Sequence, residues 1–388
     1  MAHTPEFNLF LSHYRLLPKH QFALVRVSHS ALQEDGSSLA ESLAMMQQLG
    51  MIPSIVLDTK WDSFLDTEQP IASDRESARR FGAIADFFME QIRFYGGEAE
   101  LVKPAIDVRS IPSLWEMDPS AILDCFNRHV IPIILPFGHK NRRRVYINGQ
   151  ESTRLIMETL SPNKYILITE QDGLRDHDDS VIPFLNLSEQ RNYRHILSQY
   201  KPLIREIRLQ LNRTPDAAAV ITNAHNLLRE IFTVKGQGTF IKRFTIHATS
   251  KIRDLDITRL KQLIEDAFDK DLVEDYFNEK FKLIVYEKNY EGVAIVKLIQ
   301  GIPYLDKIAV TKAAEGTGLG GTLWAKIVEQ YPTLVWRSTT SNPMNSFYFR
   351  QCHGCIKGSK WIVYWRNLNE SLILEVVHRI NAIRSTLR

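Results

Sequence analysis

Apolar and polar positions alternate in two distinct regimes along this chain. Residues 7–18 suit an amphipathic lead-in helix, and Phe22–Val27 (FALVRV) is a compact apolar run of buried-strand type. Similar runs at Ile52–Leu57, Glu100–Val102, Ile131–Leu135 and Tyr165–Thr169 are separated by stretches with helical periodicity near 39–49, 75–93, 119–129 and 150–160. Strands alternating with helices predict a mostly parallel α/β sandwich. Sheets of that kind place ligands beyond the carboxyl ends of their strands.

After Gly238-Thr239 the regime changes. Residues 256–269 form one helix with Ile257, Leu260, Leu263, Ile264 and Phe268 on an apolar face. Phe281–Glu287 and Val293–Leu298 are strands joined by a hairpin-length connection, Lys288–Gly292. A third strand at Tyr304–Val310 leads into a turn rich in glycine (Gly316, Gly318, Gly320, Gly321) and a helix bearing Leu323, Trp324, Ile327 and Val328. A strand at Thr333–Arg337, a polar Asn342-Pro343 turn, an aromatic helix at Asn345–Gln351 and a strand at Trp361–Trp365 complete the order. The change places a domain boundary near residue 240, giving 1–240 and 241–388, with IKRFTIHATS as linker or first strand of the second domain.

Length agrees with two domains, since 388 residues exceed what one core usually supports. Hydrophobic content of 44% and charged content of 24% are those of a soluble globular chain. The net charge of +3 is too small to imply nucleic acid or a membrane surface as partner, and Arg142-Arg143-Arg144 reads as a solvated loop. Three cysteines make no disulfide framework, which favours a reducing compartment. Cys352 and Cys355 have CxxC spacing but no second ligand pair, so no metal is expected. No apolar run reaches the ~18–20 residues of a membrane span, and no basic n-region opens the chain. The cytoplasm is the expected location, or the mitochondrial matrix for a eukaryotic protein with its leader removed.

Gly316-x-Gly318-x-x-Gly321 formally matches the dinucleotide fingerprint. That fold wants an acidic residue about 20 positions on and a second βαβ half. Trp336 and Arg337 stand there instead, and too little chain follows. What remains is a glycine turn opening a helix, whose unsatisfied N–H groups and positive dipole end suit a pyrophosphate.

The first half resembles the amino-acid kinase fold of acetylglutamate kinases, through FALVRV, IILPFGH, KYILITEQDGLRD and ITNAHNLLREIFTVKGQGTFIKR. In that family a lysine on the first strand and two following glycines approach the transferred phosphate. Here Arg26 and Ser28-His29 stand at those places, and Asn148-Gly149-Gln150 lacks the family's aspartate. Kinase activity is therefore not expected. The segment from Glu230 to Gly236 and Gly238 resembles the arginine-binding turn of arginine-sensitive relatives, which implies L-arginine as an effector. The local alternative is that Glu230 pairs on a helix surface and the glycines end that helix.

The second half resembles acetyltransferase domains of the GNAT type, with Glu315-x-x-Gly318-x-Gly320 as the acetyl-CoA loop and Glu315 where Gln or Arg is usual. More specifically, it is similar to the acetyltransferase domain of acetylglutamate synthases fused to an amino-acid-kinase-like domain. Tyr304-Leu-Asp-Lys307-Ile, Leu323-Trp324, Trp336-Arg337-Ser338, Asn342-Pro343-x-Asn345, Phe347-Tyr348-Phe349, Gly354 and Trp361-Ile-Val-Tyr-Trp365 carry the likeness, which covers roughly residues 1–366. It implies an amino-acid-kinase-like α/β sandwich followed by a GNAT-type α+β domain, acting on acetyl-CoA and L-glutamate. Arg337 would take one substrate carboxylate, Lys307 the other, and Asn342 a carboxylate or the amine. Backbone N–H around Ala309 and Val310 would receive the oxyanion, and Tyr348 would protonate the leaving thiolate. Glu315, Gly316, Gly318, Gly320 and Gly321 would hold the cofactor, and a homo-oligomer is implied by analogy. Taken alone, Arg337 and Lys307 also suit structural ion pairs, and Tyr348 suits a core aromatic. A bifunctional synthase/kinase and a non-enzymatic arginine sensor remain as alternatives.

Overall fold

The computed structural model describes residues 18–58, 74–102, 106–108, 115–140, 143–147, 149–188, 199–214, 217–232, 237–315 and 317–388. Nearly all of the expected lead-in helix lies outside these residues, as do Arg142, Asn148, Gly236 and Gly316. The chain divides into two compact units, Met1–Arg243 and Phe244–Arg388.

Strands of the first unit are β1 (Ala23–Ser28), β2 (Ser54–Asp58), β3 (Ala99–Val102), β4 (Ile106–Val108), β5 (Trp115–Met117) and β6 (Ile131–Ile134). There follow β7 (Phe137–Lys140), β8 (Arg143–Tyr146), β9 (Lys164–Ile168), β10 (Phe184–Asn186), β11 (Ala218–Thr222) and β12 (Thr239–Lys242). Eight of them form one sheet in the order β10-β12-β11-β9-β1-β2-β6-β3. Its centre is parallel, and β12 runs antiparallel to β11. Covering by helices on both faces explains why β1, β2 and β11 are buried at every position and read as unbroken apolar runs.

Two features depart from the expectation. The helix after β1 spans His29–Gln48 and starts directly at the strand's end, with Ser28 Oγ capping it by accepting from Ala31 N at 3.2 Å. The sequence shows helical periodicity only near 39–49, since polar residues such as Ser28 suit a cap and a loop equally. A second sheet, β5-β4-β7-β8, also forms, with β7 starting at Phe137, just past the expected strand Ile131–Leu135.

Arg26, on β1, is only 4% exposed. It donates to Asp58 Oδ2 at 2.6 Å and to Glu206 Oε1 at 2.6 Å. Burial opposes its charge, but Glu206 and Asp58 outweigh that and raise its pKa. The residue at the family's lysine position is thus held in a buried ion cluster, and Ser28 beside it caps a helix.

The second unit holds β13 (Ile246–Thr249), β14 (Leu283–Glu287), β15 (Gly292–Ile299), β16 (Ile302–Val310), β17 (Leu334–Thr339), β18 (Gly354–Lys357) and β19 (Trp361–Arg366). They form one sheet, β13-β14-β15-β16-β17-β19-β18. Helices span Ile257–Phe268, Leu319–Gln330, Asn345–Gln351 and Ile373–Ala382. All strand pairs are antiparallel except β16 with β17, which pair only at Tyr304–Val335 and Leu305–Trp336. Beyond Leu305 and Trp336 the two strands part, and the opening between them organises the site. Among the described residues no helix is long and apolar enough to cross a membrane.

Candidate active site

Gly318 forms the N-cap of the Leu319–Gln330 helix at φ +80°, a left-handed conformation that glycine adopts without strain. No side chain caps this helix, so its first N–H groups remain available to an anion. A Cβ added at Gly321 would meet nothing within 4 Å, and at Gly320 only Val310 Cγ1 at 3.9 Å, so internal packing does not demand glycine at either place. Gly292 differs: a Cβ there would lie 2.8 Å from Leu319 Cδ2, and its absence lets the helix sit against β15. Glu315, ahead of the helix, is exposed.

Ala309 and Val310 end β16, where the ladder to β17 has already stopped. Thr311 N donates toward β15, to Glu291 O at 2.8 Å, so strand alternation turns the Ala309 N–H to β15 as well and leaves the Val310 N–H on the β17 side, where it has no strand partner, as an oxyanion donor requires.

Lys307 is 5% exposed, and its Nζ donates to Thr386 Oγ1 at 2.6 Å and to Asp306 Oδ2 at 3.3 Å. The ammonium also lies 4.8 Å from the centre of the Tyr276 ring. Burial lowers its pKa; Asp306 pulls the other way without offsetting it, and Lys297 and Arg337 add to the lowering. Asp306 Oδ2 also receives the Tyr276 hydroxyl at 2.6 Å and lies 3.3 Å from Lys297 Nζ.

Arg337 lies on β17, with its guanidinium carbon 4.2 Å above the Trp361 ring. Its Nη1 donates to the Ile380 carbonyl at 2.6 Å, in the last turn of the Ile373–Ala382 helix. A cation there complements the negative end of the helix dipole.

Tyr348, on the Asn345–Gln351 helix, is 6% exposed and packs among Trp324, Trp336 and Tyr364. Burial pushes its phenol up to about 12, with Tyr364 adding to the effect. Its hydroxyl takes no hydrogen bond among the described residues.

Asn342 is held in a turn, its Oδ1 accepting from Met344 N at 2.8 Å. A second amide, Asn345, is bonded to β17 and β19. Its Oδ1 accepts from Ser338 Oγ at 2.5 Å and from Tyr364 at 3.0 Å, and its Nδ2 donates to Thr339 O at 3.0 Å. That network fixes the start of the Tyr348 helix against β17 and β19. Asp306, Asn345 and Thr386 carry this geometry without having been singled out as site residues. The adjacent opposite charges of Asp306 and Lys307 were the one visible signal.

In the first unit Glu230 is buried, and its Oε2 accepts from Gly238 N at 3.0 Å. Burial raises its carboxyl, against the pull of the Gly238 amide. Glu230 is thus buried and bonded to Gly238, not paired on a helix surface.

The second unit matches, over residues 247–385, the family described as NAT, N-acetyltransferase, of N-acetylglutamate synthase. The mitochondrial N-acetylglutamate synthase of Danio rerio is 30% identical over 383 residues, covering 90% of this chain and 71% of its own. The chain belongs to the N-acetylglutamate synthase family. Its fold is an amino-acid-kinase-like α/β sandwich followed by a GNAT-type acetyltransferase domain, and it is an acetyltransferase. An acetylglutamate kinase of Xylella fastidiosa (strain 9a5c) is 29% identical over 405 residues, 95% of each chain. The N-acetylglutamate synthase from Neisseria gonorrhoeae, complexed with coenzyme A and L-arginine, shares the fold over 95% of this chain and 99% of its own. That likeness has a TM-score of 0.58 at 17% identity.

Proposed function

We propose that this member of the synthase family transfers the acetyl group of acetyl-CoA to the amine of L-glutamate, where β16 and β17 part. The carrying observation is the placing of two cations, Lys307 and Arg337, on the two strands that flank the opening, in the same unit as an uncapped helix N-terminus. A dicarboxylate amino acid matches two cations, and coenzyme A, present in the Neisseria synthase complex, carries a pyrophosphate suited to the helix.

The neutral amine attacks the thioester carbon, and the oxyanion that forms faces the backbone N–H of Val310, the one of the expected Ala309–Val310 pair that strand alternation turns toward the opening. As the carbon–sulfur bond breaks, the amine proton passes to the departing sulfur, and N-acetyl-L-glutamate and the CoA thiol result. At about 12, the Tyr348 phenol stays protonated through the working range. Giving that proton outright to a thiolate of ordinary pKa near 8.5 would be uphill by about 5 kcal/mol. The burial of Tyr348 thus supports hydrogen-bond donation to the departing sulfur, with the net proton coming from the amine.

L-arginine is proposed as effector of the first unit, supported by the arginine complex of the Neisseria synthase and by the buried Glu230 carboxylate. Self-association is supported by the edge position of β3 and by Phe87 and Phe94, 67% and 83% exposed on one helix. The Xylella relative's name raises a kinase reading for the first unit. Arg26 in its ion cluster and Ser28 as a cap speak against it. Mass identification of the product from acetyl-CoA and L-glutamate tests the main reading, and its absence at saturating substrates overturns it.

A further inference from the structure

The segment after the Ile373–Ala382 helix turns back along the second unit. Thr386 O accepts from Val273 N at 3.1 Å, Leu387 bridges to Leu272, and Arg388 N donates to Asp271 O at 3.0 Å. With the segment anchored on both sides, Thr386 Oγ1 meets Lys307 Nζ at 2.6 Å. Just upstream, the Ile380 carbonyl meets Arg337 Nη1, also at 2.6 Å. Both cations assigned to substrate carboxylates are therefore held by one stretch of chain.

An ammonium has three N–H donors in a tetrahedral fork. Asp306 takes one from Lys307 and Thr386 a second. With two directions fixed, the third is fixed as well. Asp306 alone could not do this, because its Oδ2 is shared with Tyr276 and Lys297. We propose that Thr386 is a positioning residue for the substrate, aiming the remaining N–H of Lys307 at a carboxylate of glutamate while the Ile380 carbonyl steadies Arg337. This rests on the glutamate acetyltransferase reading above.

The groups facing Lys307 are Asp306 on its own strand, Lys297 from β15, Arg337 from β17 and Tyr276 from the turn Tyr276–Asn278, with Glu279 pairing Lys297 at 2.9 Å. Two of these are cations, so Thr386 is one of the few acceptors that favour the charged ammonium. Removing its hydroxyl disfavours that charge further.

The test compares wild type with Thr386→Val, Thr386→Ser and Thr386→Ala in the full chain, measuring glutamate and acetyl-CoA kinetics across pH. Thr386→Val raises the KM for glutamate about tenfold, leaves kcat within about twofold and spares the acetyl-CoA KM. It also moves the alkaline limb of kcat/KM for glutamate to lower pH. Thr386→Ser restores both, and Thr386→Ala repeats the loss should the valine variant fail to fold. An unmoved limb and KM in the folded valine or alanine variant overturn the positioning role, whatever happens to Tm. Absence of glutamate acetylation by the wild type overturns the reading beneath it.

Discussion

Lys307 Nζ lies 3.3 Å from Asp306 Oδ2, although the two residues are consecutive in one strand. Successive side chains of a regular strand point to opposite faces, so this contact needs an irregularity. Lys307 pairs with Ile295 and Leu305 with Val296, which leaves Asp306 as the extra residue of a β-bulge. The bulge brings both charged groups onto Tyr276, and it falls just past the last β16–β17 pair.

Replacing Asp306 by Asn leaves the Lys307 ammonium buried without its counter-charge and costs about 3–5 kcal/mol at neutral pH. Burial alone would raise the Asp306 carboxyl, yet Lys307, Lys297 and the Tyr276 hydroxyl together hold it below the ordinary carboxylate value. A depressed carboxyl contributes fully above its unfolded pKa, about 4, and loses its contribution as pH falls through the folded one. Urea unfolding of both proteins therefore shows a constant gap from about pH 5 to 7 that narrows only in stronger acid. A gap already closing near about pH 6 contradicts the assignment.

If Arg337 takes a glutamate carboxylate as proposed, Arg337→Ala and Arg337→Lys both lose glutamate turnover mainly through KM, because a planar fork stacked on Trp361 would bind it and a point charge would not. Coenzyme A binding, measured by calorimetry, stays near wild type in both. A lysine variant with the wild-type KM for glutamate removes Arg337 from the substrate site.

Tyr348→Phe lowers kcat about a hundredfold, the scale of one lost donor at a developing negative charge, with the glutamate KM little changed. Because burial pushes the wild-type phenol up to about 12, its ionisation imposes no alkaline fall in kcat below roughly pH 11. Wild-type turnover in the phenylalanine variant ends the proposed role.

The first unit gives no acyl phosphate from ATP, magnesium and N-acetyl-L-glutamate in a hydroxylamine trap. Arg26 is occupied by Asp58 and Glu206, and the helix starts at His29 with no glycine turn between it and β1. Trapped hydroxamate above background contradicts this. In the same unit Arg26→Ala unfolds at markedly lower urea, since it strands two buried carboxylates.

Much of the second unit was legible because its apolar periods are local. The Tyr348 helix lies at Asn345–Gln351, as its aromatic pattern predicts, and β16 carries Lys307 where the sequence places it. What was not legible depends on pairing between distant strands. The bulge at Asp306 exists only relative to β15, and nothing within YLDKI marks it. Asn342 and Asn345 are alike as residue types; only the positions of Ser338 and Tyr364 decide which amide is tied in. Thr386 reaches Lys307 across 79 positions, a closeness no local pattern encodes. In the first unit the start of the helix at His29 was hidden because Ser28 serves equally well in a loop or as a cap.

Thiol release from acetyl-CoA across a panel of amino acids, in the presence and absence of L-arginine, tests the central claim most directly. The two-cation site predicts release with L-glutamate far above L-glutamine or L-lysine, which lack the second carboxylate, accompanied by N-acetyl-L-glutamate in equal amount. Equal rates across the panel, or no release with glutamate at any concentration, would contradict it.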